Sequence, residues 1–167
     1  EAEYLLFGLC TDTGFFRHCE EDQSCTFAAA SRLLAAGASP NTIYRLIFGG
    51  REIETRLLLG KDLVRTEEHF QGRLLVTYET IEDLKKFGNE NRDSDTLYSL
   101  LQTVADTEVV VLIREESPGV CSAGLRASGD VNVGEIARTY GGGGHPKASG
   151  FEWHGDRAAL RERSEER

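Results

Sequence analysis

The chain has 167 residues, 40% of them hydrophobic and 28% charged, and a formal net charge of −9. That length suits one large domain or two small ones. Its apolar runs fall far short of the ~20 residues a membrane helix needs, so no membrane partner is expected. The acidic balance argues against a protein that wraps long duplex nucleic acid through a basic surface. A polyanion bound here has to be short, and met by a local cluster or a metal ion.

In chain order, Tyr4 to Cys10 is an apolar run starting almost at the first residue, and it predicts a short buried strand. With no lead-in before it, the beginning reads as a cut through a longer protein. "TDTG", Thr11 to Gly14, follows as a polar turn. Ser24 to Ala36, rich in alanine and leucine and stopped by Gly37, predicts a helix. Ser39 is placed to cap a second helix with Pro40 at its first position, and Glu52 to Val64 predicts a third. "RTEEHFQG", residues 65–72, is polar and without period, and marks a domain junction.

Beyond the junction, "RLLVTYE" predicts a strand. "TIEDLKKFG" predicts a short helix with a Thr80/Asp83 capping pattern and Gly88 as its stop, and "DTLYSLLQTVAD" a further helix. "TEVVVLIRE" and "VCSAGLRAS" predict a hairpin across the turn "ESPG". "NVGEIARTY" predicts a helix capped by Asn132, and "SGFEW" a last short strand. The charged tail "RERSEER" predicts a solvated helix end or disorder. Alternating strands and helices give an α/β class. Cys10, Cys19, Cys25 and Cys121 form no CxxC pair and lack zinc-ligand spacing, so reduced thiols in a cytoplasmic setting are expected.

The chemistry concentrates in "TYGGGGHPKASG", residues 139–150. Gly141, Gly142, Gly143 and Gly144 precede His145 and Lys147. Glycine admits φ > 0 and close ligand approach, and successive backbone N–H groups in such a loop form an anion-binding concavity. The run therefore reads as a phosphate-binding loop. Asp12, at the end of the first predicted strand, stands where open α/β sheets bind ligands, and its carboxylate suits Mg²⁺ or Mn²⁺. On residues alone a turn aspartate is the stronger reading. Arg126 has the fork geometry to clamp a phosphate, although on spacing alone a solvated or salt-bridged arginine is the stronger reading. His18, His69 and His154 read as surface or structural histidines.

Taken together, "LLFGLCTDTGFFRH" and "GLRASGDVNVGEIARTYGGGGHPKASGF" resemble the DHH phosphoesterase family with its DHHA1 domain, most nearly the branch of bifunctional oligoribonucleases and pAp phosphatases, called nanoRNases. The resemblance implies the C-terminal part of a DHH lobe over residues 1–66, a mixed-sheet DHHA1 lobe over 67–160 and a charged tail over 161–167. It implies a pair of Mn²⁺ ions with Asp12 among the ligands, and a grip formed by Arg126, Gly141 to Gly144 and His145. The implied partners are short RNA or nucleotide phosphates, and a homodimer is left open. No Asp-His-His occurs in the chain, so this portion by itself is expected not to catalyse. An RNA-binding DHHA1 module, a cyclic-dinucleotide phosphodiesterase and a single-strand exonuclease share the pattern.

Overall fold

In a computed structural model, which describes residues 1–165, the apolar run that opens the chain is not a strand. It lies in helix α1 (Ala2–Asp12). Leu6 and Cys10, four residues apart, point into the core with Ala2 and Leu9 beside them, while Tyr4 is left 83% exposed. A short continuous apolar run carries no period that separates helix from strand. Only the contacts of Leu6 and Cys10 do so.

The chain divides into two compact units between Arg51 and Glu52. The first is helical. α2 (Ser24–Ala35) and α3 (Pro40–Phe48) join α1 around Leu6, Cys10, Ala30, Ala38 and Ile43. The Ser39 hydroxyl accepts from the Thr42 N–H at 3.3 Å, the N-cap expected from sequence.

The second unit is built on a six-stranded mixed sheet in the order β1-β2-β3-β4-β6-β5. Its elements are α4 (Ile53–Val64), β1 (Glu67–His69), β2 (Leu74–Glu79), α5 (Ile81–Phe87), α6 (Ser94–Leu101), β3 (Val109–Ser117), β4 (Val120–Ala127), α7 (Val133–Thr139), β5 (Gly143–His145), β6 (Ala148–His154) and α8 (Arg157–Glu165). β2 and β3 run parallel, joined through α5 and α6, and every other neighbouring pair is antiparallel. β1 arises inside the polar stretch expected to mark a domain junction, where Glu67 to His69 pair with Leu74 to Val76. α8 runs into the charged tail, of which residues 166–167 lie outside the described ones.

Alternation along the strands makes two apolar layers. One face presents Leu75, Val110 and Leu112 to Leu97, Tyr98 and Leu101 of α6 and to Leu59 and Leu63 of α4. The other presents Val76, Val111, Ile113, Ala123 and Leu125 to Val133 of α7 and Leu160 of α8. α4, which the sequence assigns to the first domain, therefore belongs to the second. Its leucines complete the sheet's core, and its basic residues bind the next helix.

That second bond is a buried charge cluster. Asp83, 1% exposed, forms the expected capping box with Thr80 and accepts from both Lys61 and Arg65 of α4. Burial would raise the Asp83 carboxyl, but hydrogen bonds from Arg65, Lys61 and Thr80 outweigh it and hold the group well below the ordinary carboxylate range. Asp62, 3% exposed on the same helix, has the opposite fate. Its Oδ1 has no hydrogen-bond partner among the described residues. Burial, then the nearby Glu79 carboxylate, push its carboxyl up to about 7.

The two carboxyls give opposite pH slopes. Asp62 binds its proton more tightly when folded, so its contribution is full below the unfolded carboxylate value and is lost as pH rises toward 7. The loss is of the order of 3–4 kcal/mol across that window. Asp83 contributes above the unfolded value and loses its contribution as pH falls below it. In urea unfolding of the chain followed by its single tryptophan, Trp153, the wild type is expected to be less stable at pH 8 than at pH 5. Asp62→Asn should flatten that difference. Asp83→Ala should cost about 3–5 kcal/mol at pH 7, because it leaves Lys61 and Arg65 facing a vacated buried site.

Candidate substrate-gripping site

The glycine run is not a loop throughout. Gly141, with φ +78°, takes the left-handed position after α7. The N–H groups of Gly141 and Gly142 donate to the carbonyls of Arg138 and Ala137 at 3.1 and 2.9 Å, closing the helix end. Gly143 to His145 are β5. A two-residue turn, Pro146-Lys147, then returns the chain into β6. The expected concavity of free N–H groups is therefore not what forms at Gly141 and Gly142, because their donors satisfy the last carbonyls of α7.

Two of these glycines are fixed by packing. A Cβ on Gly142 would collide with Gly150 O and the Phe151 Cβ, and one on Gly144, at φ +141°, with Ser149 Cα at 2.6 Å. Gly143 is different. Its backbone is not left-handed, and a Cβ there would meet nothing within 4 Å. The fold sets no demand for glycine at that position.

Register supplies the context. Gly143 pairs with Gly150 of β6, and Gly150 with Gly124 of β4. Three glycines thus lie side by side across three strands, with paired residues on one sheet face. One row along, Arg126 pairs with Ala148 and Ala148 with His145. At strand spacings of about 4.8 Å, Arg126 and His145 stand about 10 Å apart at the backbone on that face. On the other side of the glycines, Ser122 pairs with Glu152. The result is a row without Cβ atoms, open at Gly143 and filled at Gly124 by the Tyr98 hydroxyl, between a basic edge and an acidic one.

Arg126 is half-buried and its charge is not matched by a carboxylate among the described residues. The other half-buried arginines of this unit are. Arg65 pairs with Asp83, Arg92 and Arg114 with Glu79, Arg157 with Glu115 and Arg161 with Glu67. The Arg126 guanidinium lies 4.5 Å from the Tyr98 ring centroid, and its Nη1 donates to Leu125 O at 3.1 Å. A further hollow of the unit, about 430 Å³ and largely apolar, is lined by Leu125, Tyr140 and Phe151. Leu125 precedes Arg126 and faces the opposite layer, so that hollow is separate from the glycine row.

Asp12 lies in the first unit, at the end of α1 and not at a strand edge, and it is exposed. The turn after it is strained. Gly14, Phe15 and Phe16 have φ of 56°, 57° and 67°, a conformation two phenylalanines rarely adopt. Phe15 packs against Tyr44 and Phe48, and Phe16 stacks on Phe27 at 5.0 Å, which holds the turn in place. Among the described residues no group of three or more His, Cys, Asp or Glu side chains could hold a metal ion. A pair of Mn²⁺ ions needs several oxygen and nitrogen ligands. The residues of this chain do not by themselves fit one, and no catalytic step is assigned to them.

The reading of residues alone missed Gly124, Gly150 and Tyr98. Gly124 was within reach, since it lies two residues before Arg126 in a predicted strand and so shares its face. The alignment of Gly124 with Gly150 and Gly143 depends on pairing register, which the local pattern does not encode.

Four likenesses agree with this architecture. The DHHA1 domain matches residues 72–165. The chain is 28% identical over 148 residues to the A-adding tRNA nucleotidyltransferase of Aquifex aeolicus, a stretch covering 89% of this chain and 17% of that protein. An exopolyphosphatase-related protein from Bacteroides fragilis superposes with a TM-score of 0.84 at 22% identity, over 99% of this chain and 48% of that one. The pGpG-specific phosphodiesterase PggH from Vibrio cholerae superposes at 0.54 with 17% identity, over 98% of this chain and 53% of that one. The chain thus spans about half the length of these solved structures, and it shares their fold. With the match covering more than half of its residues, the chain belongs to the DHHA1 domain family.

Proposed function

We propose that this chain is the substrate-gripping portion of a phosphoesterase that hydrolyses short oligoribonucleotides or 3′-phosphoadenosine 5′-phosphate. One observation carries the reading: a half-buried arginine without a carboxylate partner among the described residues, Arg126, beside a row of three glycines that is open at Gly143. A guanidinium in that state retains its full charge for a phosphate. At Gly143, where a Cβ would meet nothing within 4 Å, a ribose or a flat base has room to lie against the backbone. His145 is the second donor at the basic edge, and Glu152 at the acidic edge is an acceptor for ribose hydroxyls or amino groups.

In this reading Asp12 offers one carboxylate to a manganese centre whose other ligands lie outside the chain. Such a centre would supply the activated water. The residues described here bind and orient. The resemblance to the nanoRNase branch favours short RNA and pAp over cyclic dinucleotides. A second reading, a non-catalytic RNA-binding module, draws on the relative whose name is a tRNA nucleotidyltransferase. The acidic net charge of −9 weighs against it.

Calorimetric titration of the chain with pAp, an RNA dinucleotide and folded tRNA separates the two readings. Saturable, salt-sensitive binding of pAp or the dinucleotide is expected. Binding of tRNA without either small ligand would overturn the grip reading in favour of the module. Arg126→Ala should weaken the small ligand at least tenfold, the scale of a lost charge-assisted hydrogen bond. Gly143→Val should abolish binding while leaving the unfolding midpoint near that of the wild type, because the added side chain enters open space. Gly142→Ala should lower the midpoint, because its Cβ meets β6. Loss of stability at Gly143 equal to that at Gly142 would show that Gly143 is structural.

A further inference from the structure

Among the described residues Arg126 lacks the feature that the other half-buried arginines of its unit share, a carboxylate partner. Such a partner would hold the guanidinium still, but it would also cancel the charge a phosphate needs. The Tyr98 ring holds it differently, at 4.5 Å from ring centroid to guanidinium carbon. An aromatic face attracts a cation without neutralising it. Tyr98 is itself immobile. It is 4% exposed and packed among Leu75, Leu97, Leu101, Val110 and Leu112.

The same side chain accounts for a glycine in the middle of a strand. A Cβ on Gly124 would collide with the Tyr98 hydroxyl, while the ring carbon bearing that hydroxyl would stay 3.5 Å away. Gly124 and Arg126 are two residues apart on β4 and share a face. Tyr98 therefore reaches under both, with its ring at the guanidinium and its hydroxyl in the notch at Gly124. Burial pushes the phenol up to about 12, so it stays neutral and does not become an anionic partner for Arg126.

We propose that Tyr98 is the positioning residue of the Arg126 clamp, and that Gly124 is glycine in order to admit its hydroxyl. The proposal rests on the reading of Arg126 as a phosphate-binding group, and its test has one arm that needs no ligand. In the ¹⁵N-labelled free chain, the Arg126 Nε–H signal is assigned by its loss in Arg126→Lys. Tyr98→Leu should shift that signal and sharpen it as the side chain gains mobility, and Tyr98→Phe should leave it close to the wild type. Gly124→Ala should displace the signal when Tyr98 is present. Gly124→Ala combined with Tyr98→Phe should restore it, since only the hydroxyl clashes.

In the second arm, pAp affinity should fall about tenfold in Tyr98→Leu, the upper range for a desolvated cation–π contact, and less than twofold in Tyr98→Phe. On an Arg126→Ala background, Tyr98→Leu should cause no further loss. An Arg126 signal indifferent to Tyr98→Leu would overturn the proposal. So would an equal loss of affinity with and without Arg126, or a Gly124→Ala defect that Tyr98→Phe does not repair. The Gly124 pair covers the case in which Tyr98→Leu does not fold. If the wild type binds no pAp, the functional reading fails, while the signal of the free chain still decides whether Tyr98 holds the guanidinium.

Discussion

The pairing register of β4, β6 and β5 is the constraint on which the candidate site depends. It sets Gly124, Gly150 and Gly143 in one line and Arg126, Ala148 and His145 in the next. A slip of one residue would turn every side chain of the moved strand to the other face. Arg126 would enter the apolar layer around Val111 and Val133, and the glycine row would break. The register is held from the opposite face, where Ala123 and Leu125 are buried with Phe151 packed against them and the Ser149 hydroxyl donates to Val133 O at 2.6 Å. The core on one side thus specifies the open surface on the other.

Charge is arranged in the same unit by two different rules. Where a cation is structural it meets a carboxylate, as Lys61 and Arg65 meet Asp83 to bind α4 to α5, and as Arg92 and Arg114 share Glu79. Arg65 and Arg157 meet both a carboxylate and the Tyr78 ring, whereas Arg126 has the Tyr98 ring and no carboxylate among the described residues. Asp62 is the counterexample on the acidic side, a carboxyl that burial and the nearby Glu79 carboxylate push up to about 7. A net charge of −9 spread over the chain is therefore compatible with a local basic edge.

The glycine run shows why one motif supports two arguments. Gly141 closes α7, and Gly142 and Gly144 let β5 lie tightly against β6, so packing and backbone geometry require them. Only Gly143 is free of such a demand. A reading that gave all four glycines to a ligand assigned too much to binding. One that gave all four to flexibility would have missed the strand.

The sequence by itself determined the α/β class, most helix ends and the residue chemistry of the glycine–histidine segment. Those features are encoded locally, in caps such as Ser39, Thr80 and Asn132, in stops such as Gly88, and in the β-branched strands. It misjudged the first element, because Tyr4 to Cys10 is apolar at nearly every position and only the burial of Leu6 and Cys10 makes it a helix. It did not show that α4 packs with the second unit, since the partners of Leu59, Leu63 and Arg65 lie on later strands and helices. Only the tertiary structure decided that Tyr98 reaches Arg126 and that three glycines distant in sequence form one row. Those relations rest on strand register and helix packing, which are contacts between residues far apart along the chain.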